Sequence, residues 1–273
     1  MRARRFLSSA LLYVPVSVFC ALVAAPFLWM FMSSLKTTRE VFASPFSLPA
    51  QPQWTNFVRA WERGMEQYLL NSIIITSVSV AAIVVVSGMA AYALARLRFP
   101  GRLSFYLLLI TGYAIPVHTV LVPLYELLRA ANLLNSYPGL ILPYVAFGIP
   151  FSILLLYAFF LEFPTELEDA AKLDGCNALQ LAVHVVAPLS IPALSSVAIF
   201  QGVFIWNEFL LALLIISNDA LKPLPLGLLA FQGEYATNWP VLLAALTVAT
   251  LPILLIYIAA QRHFINSLTG FSK

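Results

Sequence analysis

The side chains of this chain that could do chemistry gather in one place. Glu166, Glu168, Asp169 and Asp174 crowd a short hydrophilic stretch, ELEDAAKLDGCNALQLAVHVVAPLSIP over residues 166–192, between two long apolar segments. Carboxylates so placed could hold a metal or receive basic groups of another protein. His118, His184 and His263 show no metal-ligand spacing and no nucleophile partner, so neither metal nor hydrolytic chemistry is expected. The chain also lacks the GxxxxGKS/T loop whose backbone amides and lysine cradle phosphates, so it is not expected to hydrolyse ATP itself. Recognition of a basic partner remains, and an ordinary solvated loop is the plain alternative.

Local rules say how such a stretch folds. Thr165 and Glu168 have capping-box spacing, and Glu166, Glu168 and Asp169 sit where a positive helix end favours anions, which predicts a short helix from Glu166. Gly175 supplies the left-handed position that ends it. Ala178, Leu179, Ala182, Val183 and Val186 then recur at helical spacing and predict a second helix with those residues inward. Ala170 and Ala171 are small enough to let another backbone approach closely.

The surroundings require a membrane. Hydrophobic residues make up 61% of the 273, charged residues 10%, and the mean hydropathy is +0.90, far from a soluble composition. Lipid offers the backbone no hydrogen-bond partner, so the apolar runs must be helices. A helix needs about 20 residues to cross hydrocarbon. Six spans are predicted at about 10–32, 69–95, 103–126, 138–161, 192–216 and 239–262, in a single membrane domain over 1–273, with the hydrophilic loop at about 162–187. Arg2, Arg4, Arg5, Arg96, Arg98, Arg102, Lys172, Arg262 and Lys273 fall on one side, and Lys36, Arg39, Arg59, Arg63, Arg129 and Lys222 on the other. The excess places both termini and the 166–175 insert in the cytoplasm. The net charge of +3 follows from that bias, and no basic face of the nucleic-acid-binding kind is present. Cys20 and Cys176 fall in different compartments and are expected to remain thiols.

Glu208 is the acid lodged inside a predicted span, where an ionisable group generally faces a bundle interior or a wet cavity. Glu208 with Trp206 and Asn207 forms the candidate solute path; a packing role for Glu208 is the alternative. Pro116 and Pro123, Pro143 and Pro150, and Pro188 and Pro192 are expected to kink their spans. Phe57, Trp61 and Tyr68 are spaced to line one helical face at the membrane interface.

Asp169, Ala170 and Ala171, then Gly175, Val185, Ala187 and Pro188 resemble the EAA loop of the permease subunits of ABC importers. Further stretches, EDAAKLDG, AAYALARLRFP from Ala90, FIWNEFLLAL from Phe204 and PLPLGL from Pro223, resemble the carbohydrate-type permeases of the maltose-transporter kind. The resemblance implies an all-α, type I importer permease of a prokaryotic cell membrane. Its cytoplasmic coupling helix would dock in an ATPase subunit through Glu168, Asp169, Ala170, Ala171, Asp174 and Gly175. The implied partners are an ATPase dimer that binds the ATP and Mg, a second homologous permease, an extracytoplasmic solute-binding protein touching residues 129–137 and 219–238, and a carbohydrate or polyol-like solute. Asp169 stands where the family has Glu, which shortens its reach and makes Glu168 a second candidate for that contact; the tail from Thr269 also departs from the family pattern. An ion-coupled secondary transporter would need more intramembrane charge and internal repeats, and a membrane-embedded enzyme would need a cluster of catalytic groups.

Overall fold

A computed structural model describes the backbone of residues 2–232 and 237–269 and the side chains of 13–232 and 237–258. The expectation for the last four residues of the tail lies outside the described residues. Helices account for all the regular structure among those described: α1 (Arg2–Ser34), α2 (Thr38–Ala43), α3 (Thr55–Ala60), α4 (Glu66–Arg96), α5 (Arg102–Tyr113), α6 (Leu121–Ala130), α7 (Tyr137–Glu162), α8 (Thr165–Leu173), α9 (Ala178–Leu181), α10 (Ala187–Leu189), α11 (Ile191–Trp206), α12 (Leu210–Ile215), α13 (Leu224–Gly227) and α14 (Trp239–Thr269).

Among the described residues, four stretches, within α1, α3 with α4, α7 and α14, are long and apolar enough to cross a membrane. Two bent pairs raise the number to as many as six. Both bends fall beside prolines where kinks are expected, Pro116 in one pair and Pro188 and Pro192 in the other. The run at 103–126 breaks between α5 and residues 117–130 with an 88° bend, where Pro116 adopts an extended conformation (ψ 131°). The segment over 178–189 meets α11 at 71° beside Ser190, between Pro188 and Pro192. By contrast α7 runs unbroken through Pro143 and Pro150. A proline bends a chain where nothing else holds the helix, and α7 is held along its length by buried Leu140, Ile153 and Leu156.

The chain divides into two compact units. In the first, residues 1–66 and 227–252, Lys36 is fully buried and donates from Nζ to the carbonyls of Ser44 (3.0 Å) and Pro45 (2.9 Å). Asn56 ties the end of α1 to the start of α3 by donating to Ser34 O (2.8 Å) and Lys36 O (3.0 Å). The aromatic face expected of Phe57, Trp61 and Tyr68 does not form. Trp61 is exposed while Tyr68 is buried, because a wide turn over Trp61–Met65 with Gly64 at φ 92° rotates the helix between them.

Glu40 closes a capping box with Thr37 and also accepts from the amide of Ala50 (3.1 Å). The Thr37 backbone amide, then its hydroxyl and the Ala50 amide, hold the Glu40 carboxyl below the usual carboxylate range. A lowered folded value means that this stabilisation is present above the ordinary carboxylate pKa and is lost as pH falls through the lowered one. Protection of the Ala50 amide in hydrogen exchange is therefore expected to persist at neutral pH and to fade on acidification, and Glu40→Gln should remove that pH dependence.

The second unit, residues 67–226 and 253–273, is built around α7, which packs against α5 and α11. Gly148 permits a close approach between α7 and α4: a Cβ there would stand 2.4 Å from Ile83 Cδ1. Gln201 of α11 donates to Gly148 O and to Ser152 Oγ, both at 3.0 Å. Asn71 of α4 holds the 219–226 segment by donating to the carbonyls of Ala220 and Lys222, both at 2.9 Å. Polar pairs of this kind, at roughly 0.6–2 kcal/mol each in a membrane, set the register of otherwise uniform apolar surfaces.

Candidate functional site: coupling loop and cavity

The hydrophilic insert folds as helix, turn and helix, and its first end differs from expectation. Pro164, not Thr165, is the residue before α8, and no side chain caps that end. Glu168 does not reach back to close a box. It is almost wholly buried, and its Oε1 accepts from Arg96 Nε at 2.6 Å while Oε2 accepts from the Tyr92 hydroxyl at 3.2 Å. Arg96 donates in addition to Phe163 O. A largely buried guanidinium without a carboxylate costs more than one uncapped amide at a wet helix end, so the ion pair wins Glu168.

The other end of α8 follows the local rules. Gly175 is left-handed at φ 87°, its amide bonds Lys172 O (3.0 Å), and the Cys176 amide bonds Ala171 O (3.1 Å), a Schellman pair of bonds. The capping box that Thr165 does not make is made by Asn177 with Gln180, in bonds of 2.9 Å each way. The spacing that carries it, Asn-x-x-Gln, was readable beforehand.

The second helix keeps only part of the face the spacing predicts, with Val186 buried and Ala182 half-buried as expected. Leu181 is buried too, whereas Leu179 and Val183 are exposed, and a wide π turn runs over Ala182–Val186.

Asp169, Ala170, Asp174 and Gly175 therefore lie on the outer surface of the loop, and Ala171 and Glu168 face inward. Asp169 is paired with Lys172 at 2.9 Å on that surface. Two exposed leucines accompany them: Leu173, 90% exposed, which the residue pattern did not single out, and Leu179, 75% exposed, which was expected inward. The outer face thus offers carboxylates and bare apolar side chains together, a surface suited to another protein. Glu168 is spent inside the chain and is not offered with Asp169.

The second feature is a cavity of about 390 Å³ between α5, α7 and α11. The predicted fifth span does not run through to 216. It ends as α11 at Trp206, and α12 begins afresh at Leu210, with Glu208 in the gap. Glu208 Oε1 accepts the Leu211 amide (2.8 Å), and Oε2 accepts the Ala212 amide (3.3 Å) and the Tyr144 hydroxyl (2.7 Å). The acid thus supplies acceptors for the first free amides of α12.

Of the three predicted path residues, Glu208 lines the cavity; Trp206 and Asn207 do not. Trp206 is packed away at 5% exposure, and Asn207 turns back to donate to Val203 O at 2.7 Å. Tyr144, Gln201 and His118 supply further polar groups, and Phe151 stacked on Phe200 (centroids 4.4 Å, interplanar angle 29°) supplies an aromatic wall. Gln201 lies seven positions before Glu208, two helical turns, a signal that could have placed it beside the acid; Tyr144 carries no such signal.

The family described as Binding-protein-dependent transport system inner membrane component matches residues 84–270. The Sulfoquinovosyl glycerol transport system permease protein SmoH of Agrobacterium fabrum is 38% identical over 267 residues, covering 97% of this chain and 94% of that protein. The Diacetylchitobiose uptake system permease protein NgcG of Streptomyces coelicolor is 36% identical over 269 residues, covering 97% of this chain and 88% of that protein. In fold, the chain superposes on a chain of a bacterial ABC transporter involved in the import of the acidic polysaccharide alginate. The TM-score is 0.84 at 21% identity, covering 97% of this chain and 98% of that one.

Proposed function

The chain belongs to the binding-protein-dependent transport system inner membrane component family, and from that premise we propose that it is the membrane-spanning permease subunit of an ATP-driven importer for a carbohydrate or polyol-like solute. The observation that carries this reading is near full-length similarity to permeases named for sulfoquinovosyl glycerol and diacetylchitobiose, both sugar-containing solutes. An ion-coupled secondary transporter is not favoured by membership of a family that works with binding proteins.

In this reading both termini and α8 are cytoplasmic. An ATPase dimer holding ATP and Mg receives the outer face of α8 and its turn, with Asp169, Ala170, Asp174 and Gly175 at the contact and Ala171 seating the helix from beneath. A second permease completes the passage, and a solute-binding protein delivers from the opposite face. Glu208, Tyr144 and Gln201 offer the solute hydrogen bonds, and the Phe151–Phe200 wall offers the apolar faces of its rings a surface. When the ATPases close, α8 moves with them and the passage changes its accessible side.

The test is disulfide cross-linking in the assembled transporter from Leu173→Cys, with Cys20 and Cys176 replaced by serine, to single cysteines in the ATPase cleft. An ATP-sensitive cross-link is expected. An active transporter that never forms one would remove the coupling role from α8.

A further inference from the structure

α8 has nine residues, too few to persist alone in water, and it is joined to α7 through the extended backbone of Phe163 and Pro164. A helix on such a hinge transmits a push only if something fixes its pitch. Ala171, on the inner face of α8, is too small to prevent the helix from rolling. Arg96, in the last turn of α4, supplies the missing constraint: its guanidinium holds Glu168 in the first half of α8 and Phe163 O in the hinge itself. The two side chains are 15% and 5% exposed, so water competes weakly for either. Tyr92, one turn back on the same face of α4, holds the other carboxylate oxygen and lies edge-on to Phe160 at 5.4 Å. The remaining charged groups of α8, Glu166, Asp169 and Lys172, lie on its exposed side.

We propose that Arg96 and Glu168 are positioning residues, a brace that locks the coupling helix to the end of α4 so that motion imposed on α8 passes into that membrane helix. The proposal rests on the reading of α8 as the ATPase contact. Arginine suits the task because its rigid fork serves carboxylate and carbonyl together; a lysine ammonium has no such fork.

The test uses the complete transporter in nanodiscs with nitroxides at Leu97→Cys, just beyond α4, and Leu173→Cys. A single narrow distance is expected in the parent. R96Q, R96K and E168Q should each broaden it, and R96Q/E168Q should be no broader than R96Q, because one interaction is removed once. In a second readout, a bimane at Phe204→Cys on the cavity wall should respond to ATP with vanadate, and each single variant should weaken that response by roughly 2- to 30-fold. If R96Q does not assemble, the near-isosteric E168Q decides the matter. Parent-like distance widths and full bimane response in E168Q would overturn the brace, as would effects of R96Q and E168Q that simply multiply in the double variant. Failure of the docking reading is seen separately, as a parent Leu173→Cys that never cross-links to the ATPase.

Discussion

Glu208→Ala is expected to abolish uptake and to destabilise the second unit by about 2–4 kcal/mol, since three donors lose their acceptor and membrane hydrogen bonds contribute roughly 1 kcal/mol each, more when a charge is involved. The donors are the Leu211 and Ala212 amides and the Tyr144 hydroxyl. Without them the start of α12 has no partner for its free amides, and Tyr144 is released into the cavity. Glu208→Gln should be milder in stability, because its carbonyl oxygen can still accept from Leu211 while its amide nitrogen cannot accept from Ala212. Asn207→Ala, outside the cavity, should leave uptake near that of the parent. Thermal unfolding of the purified transporter and sugar uptake by cells expressing it read the two effects separately. Parent-like stability and uptake in Glu208→Ala would remove both the cap and the solute path from this residue.

The other large effect is expected at Gly139, in the first turn of α7. A Cβ there would lie 2.1 Å from Leu133 O and 3.1 Å from its carbonyl carbon. These are backbone atoms and cannot rotate away. Leu133 is held in turn, its amide bonded to Leu128 O (2.8 Å) and its carbonyl accepting from Ser136 Oγ (2.6 Å), while Ser136 Oγ accepts the Gly139 amide (3.2 Å). Gly139→Ala must therefore open the turn that seats α7, at about 3 kcal/mol or more. Gly202→Ala is the control. Its added carbon meets Val80 Cγ2 at an ordinary 3.9 Å, and helix interiors favour alanine by roughly 0.5–1 kcal/mol, so it should be neutral or stabilising. Yield and thermal unfolding of both variants make the comparison; a Gly139→Ala protein as stable as Gly202→Ala would show that the turn yields easily.

Much of the coupling loop was legible from neighbours in sequence. Gly175 ends α8 because a left-handed residue is needed within a few positions of a helix end, and that need is written locally. Long apolar runs likewise announce membrane helices. What local rules missed were competitions. Thr165 and Glu168 have the spacing of a capping box, but Glu168 has a stronger partner in Arg96, 72 positions away. Leu179 and Val183 have the spacing of a buried face, but both are exposed, and Leu181 and Val186 take the inward positions on either side of the wide turn that begins at Ala182. The apolar run predicts a continuous fifth span because Glu208 reads as one acid within it, when Glu208 sits in the break between α11 and α12.

The sequence by itself determined that this chain is helical, that it lives in a membrane and that it carries a hydrophilic helix–turn–helix loop, because hydropathy and the covalent rules of helix ends act over a few residues. The tertiary structure decided which acids stay on the surface of the loop, which one is buried against Arg96, and which polar side chains share a cavity. Those outcomes are set by desolvation: a buried charge takes the best partner that folding brings within reach, wherever in the chain that partner lies.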